Sequence, residues 1–160
     1  MKHVTVDYVM LRSPCPTWTR ERVQAHFGER ERLTPLEIAD LDVPPQDILW
    51  LLLHEDFIPA RELRLIACRE AEIALQRERA AGREPDPRSW AAIRVARRYA
   101  REKATATELR AAWNAAWAAG AARSAAWDAA WAAGDAARAA AGKQTLIRVR
   151  RVLLKLESKP

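Results

Sequence analysis

The sequence predicts an all-α fold: a single domain over residues 1–160, a helical bundle of about six or seven helices with one long Ala/Trp-rich helix and a short extended N-terminal arm. Three observations predict it. Thr34 with Glu37 and Thr105 with Glu108 have the Thr-x-x-Glu spacing of a capping box, in which each side chain satisfies the other's free backbone N–H. Pro35, Pro45, Pro59 and Pro87 stand where a first helical turn tolerates a residue without a donor. "AAWNAAWAAG" at 111–120 returns fourteen residues later as "AAWDAAWAAG" at 125–134, written mainly in alanine, the strongest helix former.

The elements follow in order. Val4, Val6, Tyr8 and Met10 alternate with His3, Thr5, Asp7 and Val9, so residues 1–16 read as an extended arm or edge strand. After "SPCP", a helix over 17–27 is closed by Gly28, and the Thr34 box opens a short one to about Leu41. "PPQDILWLLLHE" is apolar nearly all round, which predicts a buried central helix over 44–54. From Pro59, a long amphipathic helix alternates Leu63, Ile66, Ala67, Ala71, Ile73 and Leu75 with charges as far as Gly82. Asp86 and Pro87 start a helix to about 103, and the Thr105 box starts the repeat helix, 105–141, which Gly142 ends. Leu146, Val149, Leu153 and Leu156, among Arg148, Arg150, Arg151 and Lys155, give a basic C-terminal helix over 143–157.

At about 100° per residue, Trp113, Trp117, Trp127 and Trp131 fall on one stripe of the repeat helix, with Gly120 and Gly134 among them. Alanines cover the opposite side. A fourteen-residue period is two heptads, the signature of helix pairing against a surface that also repeats. The stripe is therefore either an internal core or an aromatic surface that docks a partner or a second copy of the chain.

No chemistry-bearing motif is present. His3, His26 and His54 lie on different elements without ligand spacing, so no metal is expected, and the scattered glycines form no phosphate loop, so neither is a cofactor. "HED" at 54–56 reads as a helix end, and an enzyme would need a pocket bringing His54 to carboxylates of other helices. Cys15 and Cys68 lack CxxC spacing and are expected to be reduced. No apolar run approaches the roughly 20 residues that span a bilayer, and the N-terminus does not read as a signal peptide, so no membrane association and a cytoplasmic location are expected. The net charge of +6 favours a polyanionic partner. Arg94, Arg97, Arg98 and Arg101, together with Arg148, Arg150 and Arg151, are candidates for gripping nucleic-acid phosphates.

The segments "SPCPTWTRERVQAHFG", "LRLIACREAEIAL" and "PDPRSWAAIRVARRYA", followed by alanine–tryptophan repeats, resemble a group of bacterial and phage or prophage proteins similar to immunity proteins of polymorphic toxin systems. The resemblance spans most of Pro14 to Leu156 and carries no catalytic residues. It implies a small, all-helical, non-enzymatic protein that binds a toxin or host factor stoichiometrically, in the host cytoplasm if phage-encoded. The alternative is a DNA- or RNA-binding accessory protein using the arginine faces.

Overall fold

The computed structural model describes residues 2–121 and 135–158, with side chains for 2–116 and 142–158. Among the described residues it is all-helical: α1 (Val6–Leu11), α2 (Arg20–Phe27), α3 (Pro35–Ala39), α4 (Pro45–Leu52), α5 (Ala60–Ala80), α6 (Pro87–Ala100), α7 (Ala106–Ala121) and α8 (Asp135–Glu157). The chain divides into two compact units, Met1–Pro59 with Ala139–Pro160 and Ala60–Arg138.

In the first unit the expected arm over 1–16 shrinks to a few residues. Val4 pairs with Leu33 in a single antiparallel bridge, its N–H and C=O bonded at 2.8 and 2.9 Å, and α1 begins two residues later. The hydroxyl of Thr5 accepts the Tyr8 N–H at 3.1 Å, which caps the helix. The alternation misled because Val6 and Val9, on opposite faces of a strand, share one face of a helix, and both are buried. Burial of that pair outweighs the strand preference of valine.

Thr19 caps α2, which starts later than residue 17 and ends at Gly28, whose φ of +61° favours glycine. Both bonds of the predicted box at α3 are present, Glu37 N–H to the Thr34 hydroxyl at 3.2 Å and Thr34 N–H to the Glu37 carboxylate at 2.7 Å. α4 corrects the expectation of a helix buried all round and running to residue 54. Ile48, Leu51 and Leu52 are buried on one side, whereas Trp50 and Leu53 are exposed. α8 departs from the sequence reading most. It runs through Gly142 without a break, so residues 135–141 and 143–157 belong to one helix rather than two. Glycine ends a helix through positive φ, which Gly142 does not adopt. Thr145, Val149 and Leu153, spaced four apart, are its buried face, and Gly142 lies against Pro45.

In the second unit α6 packs on both α5 and α7. Ile66, Cys68, Ile93 and Ala100 are buried there. Gly82 at φ +77° ends α5, the Asp86 carboxylate accepts the Arg88 N–H at 2.8 Å to cap α6, and the Thr105–Glu108 box opens α7 with bonds of 2.7 and 3.2 Å. Residues 122–134 of the expected 105–141 helix lie outside the described residues.

Candidate functional site

The histidine with acidic neighbours is an anchor. The Asp56 carboxylate accepts a 2.6 Å hydrogen bond from the Tyr8 hydroxyl and a 3.0 Å bond from the Lys2 ammonium. His54 Nδ1 lies 3.2 Å away and Arg12 Nη1 3.7 Å. The Tyr8 hydroxyl, then Lys2, hold the Asp56 carboxyl down at about 2. Burial, then the bond to Asp56, raises the Tyr8 phenol. A carboxylate saturated with donors and fully ionised has no proton to give at neutral pH. The cluster ties α1 and the residues before it to the turn after α4. Among the described residues, no carboxylate of another helix hydrogen-bonds or pairs with His54, and no group of three metal-ligating side chains occurs.

The arginine face of α6 is divided. Arg97 forms a two-bond pair with Glu72 of α5 at 2.6 and 3.1 Å, and Arg69 joins the same carboxylate at 2.7 Å. The Arg97 bonds, then Arg69, lower the Glu72 carboxyl to about 2, and Arg97 is raised in turn, chiefly by its bonds to Glu72. Arg98 donates to the Lys103 carbonyl and reaches Glu108 at 3.4 Å. Only Arg94 and Arg101 remain as plainly outward cations of the four. A guanidinium already paired must surrender that partner to hold a phosphate.

Of the tryptophan stripe, Trp113 is 58% exposed. The shielded positions nearby are Leu109, Ala112 and Ala116. The side chain of Trp117 and the exposure of Gly120, and the residues Trp127, Trp131 and Gly134, lie outside what is described.

The outward face of α8 combines two properties that the sequence offered separately. Ile147 and Leu154, seven residues apart and so nearly in line along the axis, are 45% and 43% exposed. Exposed Lys143, Arg150, Arg151 and Lys155 surround them. Arg150 pairs with Asp40 at 2.7 Å, which fixes this part of the helix on the first unit. Arg148, half-buried, lies at the edge of that face. Sequence reasoning found Arg148, Arg150, Arg151 and Lys155 and missed Ile147 and Leu154, which could have been separated from the buried Val149 and Leu153 by their helical phase.

An apolar cleft of about 330 Å³ opens among α1 to α4, with Trp18, Phe27 and Trp50 in its lining. Its parts come from four short helices and the loops between them, so no local motif announces it. No helix among the described residues is long and apolar enough to cross a membrane. No protein-family model, curated protein or solved structure matches this chain.

Proposed function

We propose that this protein acts without catalysis, by one-to-one association with an acidic protein partner seated on the outward face of α8. The observation that carries the reading is the pair Ile147 and Leu154, exposed beside Lys143, Arg151 and Lys155, with Arg150 held at the rim by Asp40. Apolar side chains at the centre of a charged rim are the layout of a protein interface, where the centre supplies affinity and the rim supplies speed and register. The net charge of +6 attracts the same class of partner at longer range. A toxin or a host factor with an acidic docking surface fits, in keeping with the resemblance to immunity proteins.

Nucleic-acid binding is the weaker reading, because Arg97 and Arg98 are engaged with Glu72, Glu108 and a backbone carbonyl, and because aliphatic side chains add nothing to phosphate contacts. The test is co-purification with the products of flanking genes, followed by calorimetry on the complex. Ile147→Asp with Leu154→Asp is expected to weaken a one-to-one complex by at least about tenfold, while the melting temperature stays within a few degrees. A complex indifferent to both changes would overturn the proposal. So would tight binding to a 30-base-pair duplex with a steep salt slope and no protein complex.

A further inference from the structure

The cleft in the first unit is independent of the α8 face and has a different character. Its volume, about 330 Å³, is roughly twice that of a cavity of about 150 Å³ known to take benzene, so it matches a body of two fused rings. The lining is aromatic at Trp18, Phe27 and Trp50 and aliphatic at Val23, Ile48 and Leu51. Trp18 already has a cation, the Arg22 guanidinium, over its ring at 4.1 Å, and the His26 ring lies tilted against it at 5.5 Å. Among the lining side chains there is no lysine or arginine and one carboxylate, that of Asp47 in the first turn of α4. Its carboxylate makes no hydrogen bond or ion pair among the described residues. A lone carboxylate beside electron-rich rings selects a cation with an apolar body.

We propose that this cleft is a binding site for a small aromatic ammonium compound, its ring system against Trp18, Phe27 and Trp50 and its ammonium group paired with Asp47. The anion-poor surroundings make the preference for charge the decisive property, because apolar walls alone would take a neutral or anionic ring of the same size equally well.

The experiment is calorimetric titration of the full chain at low salt with 1-naphthylmethylamine, 1-naphthalenemethanol and 1-naphthoate, which share one ring system and differ in charge. The amine is expected to bind roughly three- to tenfold more tightly than the alcohol, and the carboxylate least. Asp47→Asn is expected to remove the preference for the amine while leaving the alcohol's affinity in place. Val43→Trp, which fills the cleft from a half-buried wall position, is expected to abolish binding of both. Cys15 gives a second readout, since it lines the cleft and is exposed while Cys68 is buried: bound amine should slow its reaction with a disulfide reagent, and Cys15→Ser should remove that signal. No binding of the amine at millimolar concentration would overturn the proposal, as would naphthoate binding as tightly as the amine. Amine affinity unchanged in Asp47→Asn would also overturn it, whether or not Val43→Trp folds.

Discussion

Asp56 and Glu72 each gather cationic or hydroxyl donors, and each is held near 2, below the ordinary range of about 4 for a carboxyl in an unfolded chain. A group whose carboxyl is lowered on folding stabilises the native state above its unfolded value and loses that contribution as pH falls through the folded one. Stability is therefore expected to decline between about pH 4 and pH 2, and Asp56→Asn and Glu72→Gln should each flatten that decline in urea titrations taken at several pH values. A slope unchanged in both variants would mean that these bonds are not kept in solution. Elsewhere, Thr34→Ala removes one half of a complete capping box and is expected to lower stability by about 1 kcal/mol, measured as a shift in the urea midpoint.

At the level of elements, what the sequence disclosed was whatever its neighbours within four residues decide. Thr34 with Glu37, Thr105 with Glu108, and Asp86 before Pro87 open helices where they were expected to, because a cap is satisfied by its own first turn. Val6 and Val9 were misplaced because a six-residue helix offers too few turns to distinguish its period from alternation. The engagement of Arg97 was illegible for a related reason: Glu72 lies 25 residues away, and nothing local marks that pairing. The cleft could not be read at all, since Trp18, Phe27 and Trp50 meet only after four helices assemble. Gly142 gives the sharpest test of a misreading. Were it a left-handed helix terminus, alanine there would destabilise; inside a continuous α8, Gly142→Ala should stabilise by up to about 1 kcal/mol. An added Cβ would meet Pro45 Cβ at 3.4 Å, an ordinary contact, so the gain is not expected to be cancelled. Thermal melts of this one variant decide the matter.

At the scale of the whole molecule, the two compact units differ in how the chain builds them. The second is continuous from Ala60 to Arg138, whereas the first joins Met1–Pro59 to a C-terminal segment that begins at Ala139. Val149 and Leu153, both fully buried, are supplied to the first unit from the far end of the sequence, so its core forms only after a long loop has closed. That asymmetry makes a prediction about cooperativity. Leu153→Ala should cost about 2–5 kcal/mol through lost transfer energy and an unfilled cavity. In hydrogen exchange, its effect should fall on amides of α1 to α4 and the C-terminal half of α8, with those of α5 to α7 far less changed. Ile93→Ala, in the buried set of the second unit, should give the reverse pattern. If both substitutions instead lower protection equally across all eight described helices, the chain unfolds as a single cooperative body, and the division seen in its internal contacts has no counterpart in its energetics.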